Sequence, residues 1–192
     1  MATGTKMRQP SGICDAVQVR PVTVDDLSNV RYVHASAFKA LATAHYPEDE
    51  IAAFAAYVYT SAYDDLIYGE NMLAGFLDAE MVATASWAPA DDNGVSARVR
   101  SVYVRPMFTA LGIGRRLVLE TESWARRSGF RTFGARVTLN AVGFFETLGY
   151  EVTSHGVHLL PDNRGIPVSF MRRPEPAAPA RGGQTRGGDA EP

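Results

Sequence analysis

Near residue 70 the apolar pattern changes period. Upstream, Ile51, Phe54 and Val58 recur at helical spacing behind Pro47 and the acids Glu48, Asp49 and Glu50. That is a good helix start, because proline tolerates the first turn and acids complement the positive helix end. Downstream, Met72–Leu77 and Met81–Trp87 flank Asp78-Ala79-Glu80 and read as a hairpin, with Val95–Val104 as a third strand. A helix then begins near Gly112, with Ile113, Leu117, Thr121 and Trp124 on its apolar face and Arg115, Arg116, Glu122 and Arg126 expected to point away. Thr132–Leu139 reads as a strand, Asn140 as the cap of a short helix ended by Gly149, and Tyr150–Ser154 and Ile166–Met171 as two last strands. At the start, Val17–Arg20 reads as a strand and Thr23-x-x-Asp26 as a capping box opening a helix through Ser28–Leu41. The order β-α-α-β-β-β-α-β-α-β-β is α/β without regular alternation. A mixed sheet follows, since hairpins are antiparallel and strand–helix–strand units are parallel.

A chain of 192 residues, 46% hydrophobic, fits one domain with a substantial core. From Pro174 to Pro192 there is no Val, Ile, Leu, Met or aromatic residue, and eight of nineteen are Pro or Gly. Residues 174–192 are therefore expected to be a disordered tail and 1–16 a flexible segment, leaving 17–173 as the globular unit. The single cysteine, Cys14, excludes an internal disulfide framework and a Cys-based zinc site, and no metal is expected. No apolar run approaches the ~20 residues that span a bilayer, and Met1–Pro10 lacks the apolar stretch of a signal peptide. The expectation is a soluble cytoplasmic protein without a membrane or nucleic-acid partner.

The net charge of −2 conceals a division. Residues 40–97 carry ten acids and no Lys or Arg, whereas 98–173 carry twelve Arg against five acids. Such a chain can hold an anion with one half and a cation with the other.

The segment with chemistry is Val102-Tyr103-Val104-Arg105-Pro106, a loop, then Gly112-Ile113-Gly114-Arg115-Arg116-Leu117. Glycine lets a ligand approach the backbone and leaves the first helix N–H groups uncovered, which suits a phosphate or pyrophosphate. A dinucleotide fingerprint fails at Leu117, where a third glycine belongs, and a Walker loop fails at Arg115, where lysine belongs. Plainer readings stand beside the ligand one. The glycines allow tight helix–strand packing, Arg115 and Arg116 form a solvated face, Asn140 is an ordinary cap and Phe144 is core.

Thr109-Ala110-Leu111-Gly112-Ile113-Gly114 resembles the cofactor motif of the GNAT superfamily of N-acetyltransferases, Gln/Arg-x-x-Gly-x-Gly/Ala, except at its first position. Leu139-Asn140-Ala141-Val142-Gly143-Phe144-Phe145-Glu146-Thr147-Leu148-Gly149-Tyr150 resembles a second family segment, Asn-Ala-x-x-Phe-Tyr-Glu-x-Leu-Gly-Phe. The element order is similar too, so the resemblance spans nearly all of Val17–Arg173. It implies a mostly antiparallel central sheet flanked by helices, acetyl-CoA as co-substrate and an amine acceptor, with homodimers common in the family. Carried onto this chain, it implies that Val102, Tyr103 and Val104 flank the pantetheine arm, which adds to the strand like another strand. Thr109 and the segment Leu111, Gly112, Ile113, Gly114 and Arg115 would take the pyrophosphate, with Asn140, Phe144 and Phe145 along the arm.

Three departures bear on catalysis. Thr109 replaces the usual Arg or Gln. Phe145 stands where the family often has a catalytic tyrosine, leaving Tyr103 and Tyr150 as substitutes. The strand Arg98–Val104 lacks the carboxylate that many relatives use as base. His45, Glu48 and Glu70 are the candidates to take the amine proton. The resemblance and the charge division together imply acetyl transfer to a small cationic amine. The alternatives are a non-catalytic acyl-CoA-binding module and an interaction protein binding a basic partner through the acidic 48–70 segment.

Overall fold

The computed structural model describes residues 12–92 and 94–174. The chain runs α1 (Ile13–Ala16), β1 (Gln18–Pro21), a 3-10 turn, α2 (Leu27–Leu41), α3 (Glu48–Tyr57), α4 (Ser61–Tyr68), β2 (Asn71–Leu77) and β3 (Glu80–Pro89). It continues through β4 (Ser96–Val104), α5 (Ile113–Arg127), β5 (Thr132–Thr138), α6 (Val142–Thr147), β6 (Glu151–Leu159) and β7 (Gly165–Arg173). The seven strands form one sheet in the order β1-β2-β3-β4-β5-β7-β6. Every neighbouring pair is antiparallel except β4 and β5, the pair joined by α5. One face carries α2, α3 and α4, with Phe38, Phe54 and Tyr63 in its core. The other carries α5 and α6, with Leu117, Val118 and Phe145 packed on Ala83, Val99 and Val137. No helix among the described residues is long and apolar enough to cross a membrane.

The capping box forms as read from the sequence. The Thr23 amide donates to Asp26 Oδ2 at 2.8 Å, and Arg20 grips both carboxylate oxygens at 2.6 and 2.8 Å. Those bonds hold the Asp26 carboxyl well below the usual carboxylate range. Helix α4 was not anticipated, because eight residues with only Tyr63 and Ile67 buried give too little periodic signal. Residues 13–16, expected within a flexible segment, form a helical turn. Arg116 Nη1 ties this turn to the body through the carbonyls of Cys14 and Val17 at 2.6 and 2.8 Å. Glu122 corrects the expectation for α5, since it is fully buried. It accepts hydrogen bonds from the Tyr150 hydroxyl at 2.8 Å, from Arg126 at 2.9 Å and from Arg173. With partners on three elements it is a tie point, not a solvated residue.

The feature that shapes the site is a bulge in β4. Thr84 pairs with Tyr103 but Ser86 pairs with Arg100, so β4 carries one extra residue. Ser101 absorbs it at φ 50°, in the left-handed region. The bulge inverts the strand's alternation. Ala97 and Val99 pack toward α5, and so does Val102, which brings Tyr103 onto the α2–α4 face with Arg100. Pairing of β4 with β5 also stops at Val99↔Ala135, although both strands continue. Beyond that point they part.

Removing the Glu122 carboxylate leaves Arg126, Arg173 and the Tyr150 hydroxyl without their shared acceptor. Glu122→Ala is expected to cost about 3 kcal/mol or more, measured as the shift in urea midpoint at constant m. A loss below about 1 kcal/mol would mean that the group behaves as a surface ion pair.

Candidate active site

Where β4 and β5 part, a cleft of about 400 Å³ opens, lined by Val102, Tyr103 and Val104 of β4, by Gly112–Arg115, and by Asn140 and Phe144. Phe38 and Leu41 of α2 close its far side. The Arg105 amide donates back to Val82 in β3. Since successive residues alternate direction along a strand, the Val104 amide points the other way, into the gap. Gly112 takes φ 83°, a conformation only glycine adopts freely, and no side chain caps α5. The first intrahelical bond runs from the Arg116 amide to Gly112 O. The amides of Ile113, Gly114 and Arg115 therefore precede it and stand free. Gly114 leaves room, because a Cβ there would lie 3.2 Å from Val104 and 3.3 Å from Phe144. Asn140 Oδ1 is buried in the cleft without a hydrogen-bond partner among the described residues, and Ala141 is the residue at the N-cap of α6. Splayed strands, uncapped amides and an orphaned amide oxygen fit an extended chain of hydrogen-bonding groups ending in phosphates, as in acetyl-CoA.

Other expected contacts divide. Thr109 and Ile113 line the cleft, the Thr109 hydroxyl donating to Pro106 O at 2.9 Å. Leu111 lies outside the cleft, on the outer side of the α5 start with Cys14. Phe145 is buried in the core against Tyr150, and its neighbour Phe144 is the ring that reaches the cleft. Arg115 lines the cleft, whereas Arg116 is occupied by the α1 turn.

A second cavity of about 70 Å³ meets the first at Tyr103 and Thr138 and is lined by Glu70, Arg100, Arg136 and His158, with Tyr57 and Tyr63 beside them. Of the three base candidates only Glu70 lies there. His45 and Glu48 are exposed and line neither space, being in the α2–α3 connection and the first turn of α3. The Glu70 side chain is 2% exposed, and its Oε2 accepts from the hydroxyls of Ser101 at 2.7 Å and Ser86. Its Oε1 stands 3.3 Å from Arg100 Nε and has no hydrogen-bond partner among the described residues. Thus the carboxylate missing from β4 is delivered to the β4 bulge from the loop before β2. Tyr150 is removed from the site, since its hydroxyl is spent on Glu122, and burial first and that carboxylate second push its pKa far up. The Tyr103 hydroxyl has no hydrogen bond among the described residues and borders both cavities. Desolvation, with Glu70 adding, raises it well above the ordinary phenol value. Its ring stacks 4.2 Å from His34, whose nitrogens bond the hydroxyls of Tyr63 at 2.6 Å and Thr84 at 2.8 Å.

Sequence reasoning passed over Arg100, Arg136 and His158. The available signal was arginine at alternate positions of strands that lie inside the sheet, where the second face meets another layer and not water. The acidic half of the chain does not gather at the site. Asp49 and Asp65 are exposed, Asp64 is paired with Arg31, and of the 48–70 acids only Glu70 lines the second cavity.

A helix start offering free amides beside a split parallel pair is a phosphate-binding arrangement within a mixed, mostly antiparallel sheet. A sequence model of the acetyltransferase (GNAT) family matches residues 35–150, more than half of the chain. The chain belongs to that family. A GCN5-related N-acetyltransferase of Rhodopseudomonas palustris shares the fold at TM-score 0.73 and 19% identity, over 82% of this chain and 94% of that one. The PaiA N-acetyltransferase of Thermoplasma acidophilum, solved with coenzyme A, matches at TM-score 0.65 and 18% identity, over 82% and 98%. YncA of Salmonella typhimurium, solved with its cofactor acetyl-CoA, matches at 0.54 and 22%, over 86% and 98%. No curated protein sequence matches the chain.

Two tests follow from this geometry. Gly114→Val is expected to raise the Kd for acetyl-CoA by roughly tenfold or more, because one misplaced contact of about 1.4 kcal/mol is already tenfold; an unchanged Kd in the folded variant would remove the phosphate assignment. The second concerns acid. Burial pushes His34 down to about 3, and burial, then Arg136 and Arg100, push His158 down to about 4. Below pH ~6.5 the unfolded chain takes up protons that the folded one refuses. Stability is therefore complete above that pH and falls toward pH 4. A Tm series should show this, with a shallower slope in His34→Gln; equal slopes would clear His34 of the effect.

Proposed function

We propose that this protein transfers the acetyl group of acetyl-CoA directly to a primary amine bound in the smaller cavity. The observation that carries this reading is the meeting of the two cavities at Tyr103 and Thr138, beside the open oxygen of Glu70. Acetyl-CoA supplies a thioester whose carbonyl carbon accepts an amine and releases a thiolate.

Each residue role follows from position. The amides of Ile113, Gly114 and Arg115, at the positive end of a fifteen-residue helix, would hold the phosphates. The Val104 amide faces the gap and stabilises negative charge developing on a carbonyl oxygen there. Glu70 Oε1 takes a proton from the incoming ammonium, because its other oxygen is already fixed by two serine hydroxyls. Tyr103 keeps its proton, given its raised pKa, and so acts as a hydrogen-bond donor across the junction. As the C–S bond breaks, the nitrogen gives up its second proton to the departing thiolate or to water, since a thiol of pKa ~8.5 leaves acceptably as the anion. No covalent enzyme intermediate is needed.

The assay is release of free thiol from acetyl-CoA with a panel of amines. Glu70→Gln keeps the shape and is expected to lower kcat about 100-fold or more with acetyl-CoA affinity unchanged. A kcat within a few-fold of wild type would exclude Glu70 as the base. Tight acetyl-CoA binding without turnover on any amine would instead leave a binding module.

A further inference from the structure

Under α3 and α4, three arginines stand on adjacent strands. Arg98 lies opposite Gly134 in the parallel register, so Arg100 is level with Arg136 where the strands part. Glu70 answers Arg100 at 3.3 Å. Arg136 has no hydrogen bond or ion pair among the described residues, although it is half-buried in the cavity wall. Burial, then the charges of Arg100 and Arg98, push its pKa below the ordinary guanidinium value. His158, held down to about 4, adds no charge at neutral pH. The cavity thus holds two guanidinium charges against one carboxylate.

A guanidinium withdrawn from water without an anion is unfavourable, and so is a buried carboxylate oxygen without a donor. Both occur in one small space, Arg136 awaiting an anion and Glu70 Oε1 awaiting a donor. One ligand answers both only if it carries the two charges close together. We infer that the acceptor is a zwitterionic amine, with an anionic group beside its amino group, bound by Arg136 through the anion and by Glu70 through the ammonium. The cavity of about 70 Å³ suits a carboxylate. This rests on the acetyl-transfer reading and specifies its acceptor. It also reverses the cationic acceptor expected from the charge division, because a purely cationic amine would meet Arg100 and Arg136 with one carboxylate to offset them. The same two cations lower the pKa of a neighbouring ammonium, which eases its deprotonation by Glu70.

The test uses matched acceptors differing only in the anion: alanine and ethylamine, methionine and 3-(methylthio)propylamine, phenylalanine and 2-phenylethylamine. O-phosphoethanolamine against ethanolamine distinguishes phosphate from carboxylate as the source of the anion. At least one anionic member is expected to exceed its partner in kcat/KM by roughly 10–100-fold, the worth of a charged hydrogen bond. Arg136→Gln should collapse that ratio to near one, and Arg136→Lys should restore part of it. A readout without turnover is binding of N-acetylmethionine against N-(3-methylthiopropyl)acetamide to the CoA-loaded protein, with the same preference and the same loss in Arg136→Gln. If uncharged-tail amines are acetylated as well as their anionic partners, the acceptor assignment fails and acetyl transfer stands. A binding preference without turnover would sustain the anion site and overturn the transfer reading. Equal or undetectable binding of both amides, or a preference that survives Arg136→Gln, overturns the inference.

Discussion

The bulge at Ser101 is the constraint on which the other features depend. A serine in the left-handed region costs roughly 1–2 kcal/mol, and its neighbours hold it there. Its carbonyl accepts from Thr84 Oγ1 at 2.9 Å, and its hydroxyl donates to Glu70 at 2.7 Å. One extra residue has three consequences. It ends the β4–β5 ladder, which exposes strand backbone to the cleft; it turns Tyr103 onto the face of Arg100; and it supplies a donor that fixes the proposed base. The gap between the strands and the proposed proton acceptor are set by the same distortion.

Tyr103 needs a rigid support to separate two cavities, and the α2–α4 layer provides it. His34 is locked by hydroxyls on both nitrogens, one from α4 and one from β3, and presents its ring to Tyr103. Phe54 packs 4.3 Å from Phe38 and 6.2 Å from Tyr103, which joins α3 to the same stack. Tyr46 spans the edge of this layer, donating to Pro167 O at 2.6 Å and accepting from the Leu139 amide at 2.7 Å. Helices α3 and α4, which do not line the larger cleft, therefore still fix the geometry of the junction.

Much of this was legible in the chain. The period change at residue 70, the Thr23/Asp26 box and the Gly112/Gly114 pair each express a local rule, and local rules survive without tertiary knowledge. Asn140 was legible as a polar residue at a helix start, though only its unpartnered oxygen shows it facing the cleft. What was not legible depended on non-local placement. Glu122 stands four residues after Val118 and three before Ala125, on the buried stripe of α5, but its charge reads as outward, and only Tyr150 and Arg173, far along the chain, make its burial tolerable. Ser101 gives no bulge signal, because serine is common in strands and turns alike. Glu70 was one of three candidates, behind His45 on intrinsic pKa, until the loop before β2 brought it against β4. Arg136 was passed over: it alternates with the buried Ala135 and Val137 along β5, and the α3–α4 layer over its face is what turns that side inward.

Glu122 has a consequence for the order in which the molecule is completed. The helix whose first amides stand open to the cleft is synthesised by residue 127, but its buried carboxylate then has only Arg126 from its own turn. Tyr150 arrives with β6, and Arg173 is the last residue of β7, the strand that also supplies the second edge of β5. A nascent chain that emerges from the ribosome in sequence thus holds the whole of α5 some forty-six positions before it holds Arg173, the charge that helps seat that helix. The cleft is encoded early and finished late.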